Sequence, residues 1–314
     1  MSASHSRVAA ARKNTTAVSL GALVAAGMLW GTGGPLGSLL AQVTGVPALA
    51  VAAYRLLAGG AVIVFVLATG RRGLPRGMAV WRRITVVGLL SAQFQSCYFL
   101  AIGLTSVSMA TLMTIGAAPV LVVSVEALSR RQRVTGRVLV AVLLAVAGLG
   151  LLTGMPPGRL GTVRVLAGAC AAFLAAAGFA ATTLLGARPV AGLDELTMTG
   201  AGFTLGGAVL FPLAAAAGGL GFSLTATALG LLAALGLLPT AAAYVLYFRA
   251  MRGVSAGTAA LLSLIEALTA TVLGVVFLGD HLSGIGVVGA VLLTVAVLLA
   301  GARQTGAGLG PGGR

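Results

Sequence analysis

The chain has 314 residues, 59% of them hydrophobic and 8% charged, with a mean hydropathy of +1.08. A soluble domain carries about a quarter charged residues, so this composition excludes an aqueous fold and places the chain in lipid. Its 20 basic residues against 5 acidic ones would suit a nucleic-acid partner, but the Arg residues are dispersed and no polar gap can hold a separate module, which excludes DNA binding and a soluble catalytic domain.

The polar residues 1–16 carry Arg7, Arg12 and Lys13 and read as a cytoplasmic tail. The apolar run behind them is about 24 residues long, against about 7–15 for a signal-peptide core, so it reads as an uncleaved first span. Apolar runs broken by Arg, Pro or Gly clusters then predict ten transmembrane helices. They cover 17–40, 46–69, 84–104, 107–128, 134–152, 165–187, 195–217, 225–248, 254–278 and 283–302. The predicted class is an all-α integral membrane protein.

Charge placement orients these spans, because cytoplasmic loops are enriched in Lys and Arg. With the N-terminus inside, 17 of the 20 basic residues fall on the inner side, including Arg71, Arg72, Arg130, Arg131, Arg133, Arg249, Arg252 and Arg314. Only Arg159 and Arg164 fall outside, and Arg55 lies within the second span. Both termini are then cytoplasmic in a multi-pass protein of the cell membrane, a bacterial inner membrane being the expected one.

The chain also repeats itself. Gly59-Gly60-Ala61-Val62 recurs as Gly206-Gly207-Ala208-Val209, and the same offset pairs Val107, Ser108 and Thr111 with Val254, Ser255 and Thr258. Five spans per copy is an odd number, so tandem copies enter the membrane in opposite orientations. That is the inverted repeat of secondary transporters, whose substrate site lies between the halves near the midplane. The expected division is a tail (1–16), a first five-helix repeat (17–152), an external linker (153–164), a second repeat (165–302) and a cytoplasmic tail (303–314).

Several segments resemble a known family. Leu29-Trp30-Gly31 followed by a Pro, Tyr54-Arg55-Leu56-Leu57-Ala58, Ala118-Pro119-Val120, and Ser263-Leu264-Ile265-Glu266-Ala267 running on to Leu278-Gly279-Asp280-His281-Leu282-Ser283 are similar to the drug/metabolite transporter superfamily, in its form with two tandem EamA-type domains. The resemblance covers residues 17–302. It implies a ten-helix secondary carrier exporting amino acids or related small metabolites, with the last helix of each half at the periphery. The sequence departs from the pattern at Ala267, where a Pro is expected, at Gln132, where an acid is expected, and at Asp280, which replaces Glu.

Two charges lie near mid-bilayer, where each costs at least about 2.5–3.5 kcal/mol and calls for a partner or a function. Arg55 and Glu266 have opposite signs and come from opposite halves, so they are placed to meet across a central cavity. In one reading Glu266 exchanges a proton while Arg55 tunes it or holds an anionic substrate group; in the other they form a permanent packing pair. Glu126, four residues before Arg130, reads as a snorkelling surface pair.

Helix breaks are expected at Gly31-Thr32-Gly33-Gly34-Pro35, at Pro119 and at Pro239, because each Pro leaves the carbonyl four residues earlier without its donor. The carbonyls of Gly31, Ile115 and Leu235 would thereby be offered to a ligand. Trp30, Gln93, Tyr98, Thr111, Thr114, Thr182, Thr183, Tyr244, Tyr247 and Ser263 are the candidate polar and aromatic lining, against ordinary interhelical or backbone bonding for each Ser and Thr. Gly27 with Gly31, Gly150 with Gly154, and Gly202 with Gly206 allow close helix approach, either within the monomer or in a homodimer.

Two other classes compete. Gly253-Val254-Ser255-Ala256-Gly257 matches a nucleophile elbow, but His281 is about 39 Å farther along a helix, beyond hydrogen-bond reach. A passive channel would need a continuous polar pore. No metal or cofactor is expected, as no His/Cys/acid cluster and no phosphate loop occur; the expected partners are a small metabolite, the lipid bilayer and protons.

Overall fold

The computed structural model describes residues 2–70, 75–105, 107–129, 135–153, 162–278 and 283–306. Among the described residues the secondary structure is helical apart from one isolated bridge, Val190 to Leu193. The expected Arg71, Arg72, Arg130, Arg131, Arg133, Arg159, Asp280, His281 and Arg314 lie outside them, as do Gln132 and residues 154–161 of the expected linker, Gly154 included.

The helices are α1 (Ser2–Gly31), α2 (Gly33–Thr44), α3 (Ala48–Thr69), α4 (Met78–Leu104), α5 (Val107–Leu128), α6 (Gly136–Thr153), α7 (Thr162–Gly186), α8 (Glu195–Ala216), α9 (Ala226–Gly236), α10 (Ala243–Ala250), α11 (Ala256–Leu262), α12 (Ile265–Leu273) and α13 (Gly284–Gly306). Two π-helical turns, Leu237–Ala242 and Gly274–Leu278, follow α9 and α12. Among the described residues seven stretches are long and apolar enough to cross a membrane, and the apolar helices at Met113–Leu128, Gly136–Leu151 and Gly284–Ala300 are shorter.

Three expected spans are therefore discontinuous. The first breaks at Thr32, where the hydroxyl donates to the Leu29 carbonyl at 2.7 Å before α2 starts. The eighth widens into the π turn that contains Pro239. The ninth breaks at Ser263-Leu264, which no Pro announces: Ser263 Oγ donates to the Ala260 carbonyl at 2.7 Å, and the backbone tightens into three-residue bonds such as Glu266 N to Ser263 O at 3.0 Å. Pro119, by contrast, is absorbed within a single α5. The third expected span starts at Met78 rather than at residue 84, and Arg83 within it donates Nη1 to the Leu185 and Arg188 carbonyls at and beyond the end of α7.

Helices from the two halves pack reciprocally. A Cβ on Gly60 would stand 2.5 Å from the Thr204 nitrogen, and one on Gly207 would stand 2.8 Å from the Leu57 nitrogen. At the repeat offset Gly60 corresponds to Gly207 and Leu57 to Thr204, so one contact is the other seen from the opposite half. Gly88 against Leu205 and Gly206 resembles Gly236 against Ala58 and Gly59, with the offset one residue longer for the glycine than for its partners. The seam between α3 and α8 is thus a two-fold contact made possible by side chains that end at hydrogen. Gly27 and Gly31 meet Ile265 and Thr269 of α12, and Gly202 and Gly206 meet α4, so these small-residue faces serve packing within the monomer. α6 and α13, the last helices of the halves, pack on each other.

Candidate functional site

A cavity of about 530 Å³ lies between the halves, within the usual range of small-ligand sites. Its wall is built from the α1–α2 junction through Ala41, the first two turns of α3, the second half of α4, and residues 114–118 of α5. Glu266 and Ala270 of α12 with Gly274 complete the wall, and Trp30, Phe179, Tyr244 and Ser263 lie toward its inner end. The wall segments belong to one end of the bundle: the end of the first span, the start of α3, the end of α4 and the start of α5.

Of the expected residues, Trp30, Gly33, Gly34, Pro35, Arg55, Tyr98, Thr114, Tyr244, Ser263 and Glu266 line this cavity. Others stand elsewhere. Gln93 turns to α7, donating to the Leu174 carbonyl at 2.9 Å, with Cys97 Sγ at 3.4 Å. Thr111 sits behind Tyr98, bonded to its hydroxyl at 2.7 Å. Tyr247 is 1% exposed and bonded to Thr183 at 3.1 Å beneath the cavity, while Thr182 bonds back to the Gly178 carbonyl. Gly31 packs on Thr269, and neither Pro119 nor Pro239 reaches the wall.

Gln95 takes the place expected for Gln93. It is 3% exposed, lines the cavity, and has no hydrogen-bond partner among the described residues. Two residues along a helix is about 200° of rotation, so only one of the two glutamines can face inward. The signal is in the sequence: Gln95, Tyr98, Phe99 and Ile102 follow the 3–4–7 spacing of one helix face, and all four line the wall.

Arg55 and Glu266 share the cavity without touching. Arg55 Nε donates to Thr240 Oγ1 at 3.1 Å, and among the described residues no contact ion pair joins the guanidinium to Glu266. The Glu266 carboxylate itself accepts no hydrogen bond from any described residue. The permanent packing pair is thereby corrected to two separate charges facing one space. The Leu235 carbonyl, expected to be open to a ligand, is taken by Thr240 Oγ1 at 2.8 Å.

Below the cavity an aromatic layer fills the bundle among the described residues. Trp30 packs against Tyr244 and Tyr247 with ring centroids 4.9 Å away in both cases, and Phe203 meets Tyr244 at 4.6 Å. Farther along, the Glu126 carboxylate accepts the Gly257 N–H at 2.9 Å, at the first turn of α11; its expected partner Arg130 lies outside the described residues. Ser255 caps the same helix by accepting the Thr258 N–H at 3.2 Å, and a Cβ on Gly253 would run into Ser19. The elbow-like Gly-x-Ser-x-Gly pattern thus has a capping and packing explanation. Arg252 pairs with Glu195 at 2.5 Å at this end.

These features agree with the comparisons. The model of the EamA-like transporter family matches residues 18–154 and again 166–302. The chain is 32% identical over 282 residues to the uncharacterized transporter YwfM of Bacillus subtilis (strain 168), covering 90% of this chain and 92% of that protein. It is 30% identical over 181 residues to protein PecM of Dickeya dadantii (strain 3937), covering 58% and 60% of the two chains. A solved crystal structure shares the fold with a TM-score of 0.74 at 23% identity, over 92% of this chain and 98% of that one. This multi-pass membrane protein belongs to the EamA-like transporter family.

Proposed function

We propose that the protein is a secondary active transporter that exports amino acids or related small metabolites across the cell membrane by alternating access, coupled to protons through Glu266. In this reading the seven long and three shorter apolar helices make ten crossings, both termini are cytoplasmic, and the two halves are inverted copies. The reciprocal glycine contacts of α3 with α8 support that symmetry. With the basic residues facing inward, the cavity wall falls in the outer half of the membrane and the aromatic seal in the inner half.

One observation carries the reading: the cavity toward one end of the bundle holds an acid and a base from opposite halves, and among the described residues an aromatic layer fills the bundle beyond it. A carrier needs such a one-sided site, whereas a passive channel needs a continuous polar path. The test is counterflow in proteoliposomes with a panel of metabolites. Internal solute should accelerate uptake of its labelled form, and a pH gradient should drive accumulation in the wild type but not in Glu266→Gln. Equal pH-driven accumulation in both would remove Glu266 from coupling, and flux without counterflow would make the protein a channel.

A further inference from the structure

The Arg55 guanidinium is held from the other half of the chain by a short relay. Pro239 has no N–H to offer the carbonyl four residues earlier, that of Leu235. Thr240, 0% exposed, donates its hydroxyl proton to that carbonyl at 2.8 Å and accepts Arg55 Nε–H at 3.1 Å. With its one proton committed to Leu235, the hydroxyl can only accept from Arg55. π-helical insertions such as Leu237–Ala242 are found mostly at functional sites. Here the insertion places a hydroxyl where it orients a charge.

Anchoring through Nε leaves the two terminal nitrogens for another partner. Nη1 lies 3.8 Å from where a Cβ would stand on Gly33, the first residue of α2 and, like Arg55, part of the cavity wall. No carboxylate contacts the guanidinium among the described residues. The adjoining wall supplies Gln95, 3% exposed and unpartnered among the described residues. Trp30 is 3% exposed, and its Nε1–H also lacks a partner among them. Arg55, Gln95 and Trp30 all line the same cavity, and the Arg55 terminal nitrogens and the Trp30 Nε1–H are donors.

A planar anion with two oxygens fits a guanidinium edge in a bidentate manner. We propose that Arg55 and Gln95 form a carboxylate subsite, with Thr240 as its positioning residue. This rests on the transporter reading and adds a chemical class to it: the transported solute carries a carboxylate, which docks on Arg55 while Glu266 stays free for a proton or a cationic group. A merely electrostatic partnership of Arg55 with Glu266 would require no carboxylate on the solute.

The experiment uses the full chain in detergent with Trp81→Phe, which leaves Trp30 as the single tryptophan reporter. Its fluorescence is titrated with leucine, with 4-methylpentanoate, which lacks the ammonium, and with leucinamide, which lacks the carboxylate. The two carboxylates should bind about 10–100-fold more tightly than the amide. Arg55→Gln should level the three, Thr240→Val should cut the preference about tenfold, and Thr240→Ser should restore it. The ratio is the readout, because general loosening weakens all three probes together.

Equal binding of the three probes, no binding of any of them, or a preference that survives Arg55→Gln would overturn the subsite. A preference lost in Arg55→Gln but intact in Thr240→Val would overturn the positioning role. Failure here is separable from failure of the transporter reading: counterflow with no carboxylate preference sinks only the subsite, and absence of counterflow for every solute sinks the transporter.

Discussion

The two ends of this bundle use the same few charges in opposite ways. At the sealed end, Glu126 is bonded to the Gly257 N–H, Arg83 to the carbonyls ending α7, and Arg252 to Glu195. In the cavity, Arg55 and Glu266 face one space with no contact ion pair among the described residues. In a membrane an unpaired charge is costly, so the contrast separates charges bonded within the fold from charges that, in the proposed function, meet a ligand or a proton. The aromatic layer of Trp30, Tyr244 and Tyr247 is the border between them.

The most severe way to break that contrast is to remove the border. Trp30→Ala deletes ring contacts at 4.9 Å on two sides and should cost about 3 kcal/mol, read as a lower melting temperature in detergent, together with solute leak through the emptied layer in proteoliposomes. A stable variant without leak would mean that the seal lies deeper, at Glu126 and Arg83. Next comes the seam on which both ends depend. Gly60→Ala and Gly207→Ala each drive a methyl group onto backbone nitrogen and should cost about 1–3 kcal/mol apiece. Gly34→Ala, on the cavity wall with nothing within 4 Å of the new methyl, should leave the melting temperature unchanged or raise it slightly. Equal losses at Gly34 and Gly60 would erase the distinction between a tight seam and an open wall.

How much of this was legible beforehand follows from what each signal encodes. Apolar runs report a helix's length and place in the chain, so the helical segments could be read directly. Rotation about a helix is a finer matter. Gln93 and Gln95 have the same chemistry, and only the wider face shared with Tyr98, Phe99 and Ile102 separates them. Long-range pairing left no local mark: Glu126 has Arg130 four residues away in sequence, yet its carboxylate bonds to Gly257 from the opposite half. Backbone rescue was equally hidden. Pro239 announced an orphaned carbonyl, but Thr240, the very next residue, consumes it and turns the break into a holder for Arg55. The break before Glu266 carried no Pro at all.

A smaller effect sharpens the sealed side. Glu126→Ala removes the acceptor for the Gly257 N–H at the start of α11 and should cost about 1 kcal/mol, visible as faster labelling of cysteines placed along α11. Labelling unchanged from wild type would show that the Ser255 cap alone holds that end.

The smallest effect belongs to Arg252 and Glu195, and it tests whether closure is shared among several contacts or hangs on one ion pair. Arg252 is 67% exposed in its side chain, so water and salt screen the pair, and Arg252→Ala should cost about 0–1 kcal/mol, shrinking further in high salt. Glu195 has a second stabilising influence: it lies in the first turn of α8, beside the Asp194 cap that accepts the Thr197 N–H at 2.7 Å, where a negative charge also meets the helix dipole. Glu195→Ala should therefore cost a few tenths of a kcal/mol more than Arg252→Ala. Because the dipole component does not need the arginine, that difference should persist in the double variant. A loss above about 2 kcal/mol for Arg252→Ala alone, well beyond the range of exposed pairs, would instead make this one pair the latch of the inner end and demote Glu126 and Arg83 to bystanders.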